Sequence, residues 1–443
     1  MKGALFVLIL VSAANTLFAV QPEPSPAAPA AAIISPDNAQ TFDPAAATKA
    51  WLDTVPADKR AKSDAYFEGG YWLLLWDFLL GAAISILLLQ SRISARLRDF
   101  AERTTQSKSL QVILYVVPFV LIIAALSFPM TVYEQFYREH KYGLATQTFG
   151  PWFGDQLKAL LVALIGLTIA LVFLYRGLHR SPRTWWIWGA GFATAFSLLA
   201  SFIAPVFVFP LFNKYTPLTD PKIRDPILAM ARANQIPVTQ VFVVDASRQT
   251  TRVSANVAGA FGTTRIALND NLLNQCTLAE IREVMGHEMG HYVLNHGGKL
   301  TMYSAILFFI AFALINVLFN VASRRWGERW GVRGISDLAG LPLFGLILSA
   351  LLFVGTPVTN TVTRITEREA DQFGLNTSRE PDGFARTALK LGAYRKLNPG
   401  PIEEFIFFDH PSGRARIRMA MDWKAAQLPC GEVVHLARST TAR

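Results

Sequence analysis

Long apolar runs alternate with polar segments along the chain. The runs at 69–90, 110–132, 155–175, 185–209, 303–321 and 338–354 each approach or exceed the roughly 20 residues a helix needs to cross about 30 Å of hydrocarbon. An earlier run from Ala4 to Val20, behind Lys2, has the form of a signal peptide or a first transmembrane helix over residues 1–20. Residues 21–68 read as a linker, Pro- and Ala-rich at its start, with an extramembrane segment. The pattern therefore predicts four spans within 69–210, a polar segment over 211–300, two further spans within 301–358 and a second polar segment over 359–443. Pro118, Pro129, Pro205 and Pro342 interrupt the apolar runs. They predict either local kinks in a packed bundle or helices that bow around an internal chamber.

Within the first polar segment, 240–246, 252–260 and 264–268 have strand composition and are bounded by turn residues. A helix is predicted from Thr277, because Thr277-x-x-Glu280 is a capping box and Leu278, Ile281, Val284 and Met285 recur at helical spacing. The expected fold is mainly α: a polytopic membrane helical bundle, with an extramembrane domain carrying a small β-sheet.

Composition agrees, with 52% hydrophobic and only 17% charged residues in 443 positions, against about a quarter charged in soluble domains. A wholly soluble or disordered chain is excluded. The net charge of +10 does not point to nucleic acid, since no aromatic-interleaved basic stripe accompanies it. Instead Lys and Arg crowd the loops at 91–109, 176–184 and 322–337 and are sparse at 133–154. The positive-inside rule assigns the three basic loops to the cytoplasm and both polar segments to the opposite face. Two cysteines, Cys276 and Cys430, form no C-x-x-C pair, so thiolate zinc sites and disulfide scaffolds are excluded; two separate thiols or one bridge remain.

On the helix after Thr277 lies Gly286-His287-Glu288-Met289-Gly290-His291, an H-E-x-x-H pattern. Two imidazoles four residues apart share a helix face and can bind one metal, with the intervening Glu free to act on a water. Zinc suits such donors, and a catalytic site takes three protein ligands. His296 falls about 140° around a continuous helix from His291, which predicts a place beside the site or on the surface. In the second polar segment Arg364, Glu367 and Asp371 stand at i, i+3 and i+7. Such a stripe is usually a solvated face, but the open ligand position favours Glu367.

The sequence resembles a known family, the integral-membrane zinc endopeptidases that include the eukaryotic type I CAAX prenyl proteases. The residues carrying the resemblance are the G-H-E-x-G-H form at 286–291, Thr363-Arg364-x-x-Glu367-x-x-Ala370-Asp371, and His410-Pro411 followed by Arg416-Ile417. Phe212-Asn213-Lys214-Tyr215-Thr216-Pro217-Leu218, Ser254-Ala255-Asn256-Val257 and Asp155-Gln156-Leu157-Lys158 match as well. The resemblance implies one zinc per chain, bound by His287, His291 and Glu367, in a catalytic domain built from both polar segments. It implies peptide-bond hydrolysis with Glu288 as general base, His410 stabilising the oxyanion, Asp371 orienting a ligand histidine and Arg416 pairing with a carboxylate. Ser254, Ala255 and Asn256 would form the edge strand that receives an extended peptide or protein substrate.

The chain departs from the eukaryotic pattern in its short, signal-like amino-terminal segment, its six clear spans where those relatives have seven, and its short basic loop at 322–337. These departures point to a multi-pass protein of a bacterial inner membrane, acting on membrane-associated or misfolded proteins. The resemblance places the zinc on the cytosolic side, against the charge rule. A membrane protein with structural zinc, or a peptide-binding pseudoprotease, is the competing function. An unliganded Glu288 between two ligands argues against the first, and the complete set of His287, Glu288, His291, Glu367 and His410 against the second.

Overall fold

The computed structural model describes residues 42–259 and 264–427; the amino-terminal apolar segment and Cys430 lie outside them. After a short α1 (Pro44–Asp53) come α2 (Ala57–Gln90), α3 (Ile93–Thr104), α4 (Lys108–Val132), α5 (Phe149–Arg180) and α6 (Trp185–Ile203). The chain continues through α7 (Pro221–Ala233), α8 (Asp270–Gln275), α9 (Leu278–Val293), α10 (His296–Trp330) and α11 (Leu341–Ser378). It closes with α12 (Pro381–Leu391), α13 (Pro401–Phe407) and α14 (Gly413–Gln427). Six helical stretches among the described residues are long and apolar enough to cross a membrane, in the order the sequence predicts.

Their outward faces carry bare Trp72, Leu161, Phe173 and Val354, as expected of surfaces solvated by lipid. Their inward faces pack Leu88, Tyr115, Leu171, Trp185, Ile315 and Phe344 into one apolar core. The helices run past the predicted spans. Residues 57–68 already belong to α2, and α11 continues unbroken from the last apolar run to Ser378. That continuation carries Glu367 on the same rod that spans the bilayer.

Pro118 and Pro129 lie inside α4 as expected, whereas Pro342 sits in the first turn of α11, where proline is tolerated and makes no kink. Pro129 precedes a π-turn at Tyr133–Arg138, and Pro205 lies in another at Ala204–Val208. The bundle surrounds a half-open cavity of about 730 Å³. Its apolar wall comes from α2, α4, α5 and α11, with Ile84, Phe119, Leu167 and Leu348 among the lining residues. Its roof is the sheet's polar side, where Arg252, Ser254, Asn256 and Asn269 face inward. The chamber expectation is met.

The sheet has four strands: β1 (Tyr215–Pro217), β2 (Val241–Val244), β3 (Ala255–Ala258) and β4 (Arg265–Asn269). Their order is β1-β2-β4-β3, with β2 parallel to β4 and both outer strands antiparallel to their neighbours. Three of the four were legible by composition; β1 was not, because it is three residues ending in Pro217. The sheet's other side packs Ala255, Ile266 and Leu268 against Ile281, Met285 and Met289 of α9.

At the far end of the bundle the basic loops at 91–109 and 322–337 meet, and α5 runs up beside them before it enters the third. Arg98 pairs with Asp337 at 2.5 Å with both side chains buried, Arg92 donates to the carbonyls of Glu328 and Arg329, and Arg333 reaches Glu102. Tyr175 at the end of α5 donates to the Asp337 carbonyl at 3.4 Å. The cationic end and the H-E-x-x-H helix are therefore at opposite ends of the spans.

Candidate metal centre

The capping box fixes the start of α9. Thr277 accepts from the Glu280 N–H, and Glu280 Oε2 accepts from the Thr277 N–H at 2.7 Å. The other Glu280 oxygen pairs with buried Lys390 of α12 at 2.9 Å. One face of α9 then runs along α11 at backbone contact distance. A Cβ at Gly286 would sit 3.0 Å from the Gly374 carbonyl oxygen, one at Gly374 would sit 2.9 Å from the His287 nitrogen, and one at Gly290 would sit 3.2 Å from Ala370 Cα. These glycines are what let Glu367 reach the histidines. Gly374→Ala must push the two rods apart, because the obstacle is backbone; we expect loss of zinc binding from an otherwise folded protein, checked by metal content beside a thermal melt.

His287 and His291 of α9 and Glu367 of α11 place one donor atom each within 4.8 Å of one another. His287 Nδ1–H donates to Asp371 Oδ1 at 2.8 Å, so its Nε2 carries the lone pair. That Nε2 lies 3.1 Å from His291 Nε2 and 3.3 Å from Glu367 Oε2. Glu367 Oε2 is buried and has no hydrogen-bond partner among the described residues. Converging lone pairs in a buried site call for a cation, and two nitrogens bound tetrahedrally at about 2.0–2.1 Å stand about 3.3 Å apart. The residues fit zinc.

Around the trio, Asp371 is fully buried and held by Arg416, whose Nε donates to Oδ2 at 2.9 Å and whose Nη2 donates to Oδ1. His410 lies in the turn between α13 and α14, its Nε2 3.2 Å from Glu367 Oε2 and its Nδ1 2.7 Å from Asp409 Oδ1. Arg364, which spacing suggested was part of a solvated stripe, donates instead to the carbonyls of Glu404, at 2.9 Å, and Phe408. It ties the turn carrying His410 to α11. Glu288 is 7% exposed. Burial pushes its carboxyl up to about 8, Glu367 adding to the rise and His287 opposing it.

Ser254 and Glu288 border a cavity of about 30 Å³ beside His287, room for one water. Along β3, Ala255 turns toward α9 while Asn256 faces the large chamber. β3 is an outer strand of the sheet, paired through Asn256 with Ala267. The structure thus gathers His287, His291, Glu367, Glu288, Asp371, Arg416 and His410 in one place with Ser254 at its border, while Asn256 lies on the sheet's other side, toward the chamber. What the sequence missed is Arg364's anchoring role, for which its place three residues before Glu367 was the available signal.

The helix carrying Gly286 to His291 is not continuous with α10, and the break changes the position of His296. Asn295 adopts the left-handed conformation at φ 52° and ends one helix as it caps the next. The predicted 140° offset does not apply, and His296 folds back to within 2.8 Å of His291. It is 1% exposed, so the surface alternative is overturned.

The chain is similar to known proteins in sequence and fold. Residues 217–424 match the model of peptidase family M48, and residues 43–214 match that of the CAAX prenyl protease N-terminal region, described as five membrane helices. An uncharacterized metalloprotease, YhfN of Bacillus subtilis, is 30% identical over 336 residues, covering 75% of this chain and 79% of its own. A CAAX prenyl protease 1 homolog of rice, Oryza sativa, is 30% identical over 291 residues, covering 64% of this chain and 67% of its own. The crystal structure of S. mikatae Ste24p superposes with a TM-score of 0.70 at 22% identity, covering 84% of this chain and 90% of that one.

Proposed function

The chain belongs to peptidase family M48 as a multi-pass membrane zinc metalloprotease related to the CAAX prenyl proteases, and from that premise we propose how its residues divide the work. His287, His291 and Glu367 hold the zinc, and Glu288 is the general base. The observation that carries this reading is that Glu288 is buried beside the three converging donors without being one of them. The chemistry a bound zinc supplies is polarisation of the scissile carbonyl and acidification of a water.

Glu288 takes the proton of that water and passes it to the leaving amine; a carboxyl raised by burial toward neutrality can do both. His410, with a hydrogen on both ring nitrogens, donates through Nε2 to the developing oxyanion while Asp409 holds the ring by accepting from Nδ1–H. Asp371 fixes His287 in the tautomer whose Nε2 is available, and Arg416 fixes Asp371. The substrate peptide lies extended along the outer edge of β3, with Ser254, Ala255 and Asn256 offering backbone groups and Asn256 steering side chains over the chamber. Membrane-associated or misfolded proteins suit an apolar chamber that opens beneath that strand.

Cleavage of a quenched fluorescent peptide by the detergent-purified chain, followed against pH, tests the reading. The general base must be ionised, so the rate falls on acidification through the Glu288 pKa. That pKa is about 8 without metal, and a bound dication moves it lower. A chelator removes the activity at every pH and zinc returns it. A rate that climbs steadily toward pH 5, or one indifferent to the chelator, contradicts the assignment.

Charge asymmetry supports an extracytoplasmic zinc domain in a bacterial inner membrane, because the Arg-rich loops share the end of the bundle away from His287. Alkaline phosphatase fused after Gln427 is then expected to be active, and a fluorescent protein that matures only in the cytoplasm to be dark. The reverse pair of results puts the zinc on the cytosolic side.

A further inference from the structure

His287 has its orienting partner in Asp371; the partner of His291 comes from the first residue of a membrane span. α9 stops at Val293, and left-handed Asn295, with φ 52° and ψ 44°, reverses the chain so that α10 starts at His296. The reversal lays the His296 ring edge-on to His291, centroids 4.9 Å apart at 75°. The two Nδ1 atoms are 2.8 Å apart, so one of them carries the hydrogen and the other accepts it.

Which one is decided further out. His296 Nε2 lies 3.1 Å from Glu369 Oε2, and Lys299 Nζ donates to the same oxygen at 2.5 Å. A carboxylate only accepts, so His296 Nε2 carries a hydrogen and, in the neutral ring, its Nδ1 carries the lone pair. His291 must then donate from Nδ1, which leaves its Nε2 lone pair facing His287 Nε2 and Glu367.

We propose that His296 is the positioning residue of His291: it accepts the Nδ1–H, fixes ring and tautomer, and turns Nε2 toward the zinc. Glu369 and Lys299 set the direction of the chain of hydrogen bonds. His296 is 1% exposed whereas Glu369 is 42% exposed, so the chain leads from the buried site to the surface. Because His296 opens α10, the seating of a membrane span sets the orientation of the second ligand. The proposal rests on the reading of His291 as a zinc ligand.

The test measures zinc affinity of the full chain in detergent by competition with a chromophoric chelator, with the metal-free thermal midpoint as a control for folding. His296→Phe keeps a ring but removes the acceptor, and is expected to weaken zinc binding about 10- to 100-fold. His296→Asn places a carbonyl oxygen near Nδ1 and is expected to recover most of that loss, although it packs less well than Phe. Glu369→Leu frees the His296 tautomer and is expected to weaken binding several-fold. Affinity in His296→Phe equal to wild type overturns the proposal. So does an Asn variant as weak as Phe at equal metal-free stability. Should Phe fail to fold, Asn and Glu369→Leu decide: Asn near wild type with Leu weakened supports the proposal, and Leu unchanged overturns it. Failure of the underlying reading shows separately, as full zinc affinity in His291→Ala.

Discussion

Glu288→Gln is expected to lower peptide turnover by about 10⁴-fold or to background while zinc stays bound, the upper end of what a positioned acid–base group contributes. Glutamine keeps the shape and volume of the buried side chain, so the packing around it is preserved. What it loses is the ability to take a proton. The effect should fall on kcat, since Glu288 acts on the water and the leaving amine and not on the bound peptide. Turnover and metal content measured on the same preparation check it. A variant that loses zinc together with activity would make Glu288 a ligand instead.

Arg416→Met is expected to be the most destabilising single change around the site. Arg416 is 6% exposed and makes two hydrogen bonds to Asp371, which is fully buried. Breaking a buried ion pair from one side leaves an uncompensated charge and costs about 3–5 kcal/mol. Methionine fills much of the space left by the side chain above the Phe384 ring, so the loss is mainly electrostatic. Zinc affinity should fall as well, about 10- to 100-fold, since His287 loses a fixed partner. Thermal melts of Arg416→Met and of the pair Arg416→Met/Asp371→Asn distinguish the causes. Neutralising Asp371 should recover much of the stability but not the zinc affinity, because an amide is a poorer acceptor for His287.

Much of this was legible in sequence because it rests on period and composition. Apolar length announced the spans, the capping box placed the start of α9 at Thr277, and H-E-x-x-H put two imidazoles on one face. Glu367 was reached by asking for a third ligand, and Asp371, Arg416 and His410 by resemblance to a family. Other features were beyond local pattern. The contact of Gly286 and Gly290 with α11 depends on which helices touch, which no spacing reveals. Continuity of α11 through Glu367 was hidden because polarity changes where the helix leaves the bilayer although the backbone does not. His296 stands beside the site, one of the two places expected for it, but the angle behind that expectation assumed one helix, whereas Asn295 breaks it. Asn tolerates the left-handed conformation better than most residues, and that was the one available clue.

The claim on which everything else depends is that His287, His291 and Glu367 form a single zinc site with Glu288 outside it. Elemental analysis of purified wild type, Glu288→Gln and Glu367→Ala, each confirmed folded by its thermal melt, tests it directly. The account predicts about one zinc per chain in the first two and a large loss in the third. Full zinc in Glu367→Ala, or none in Glu288→Gln, would contradict it.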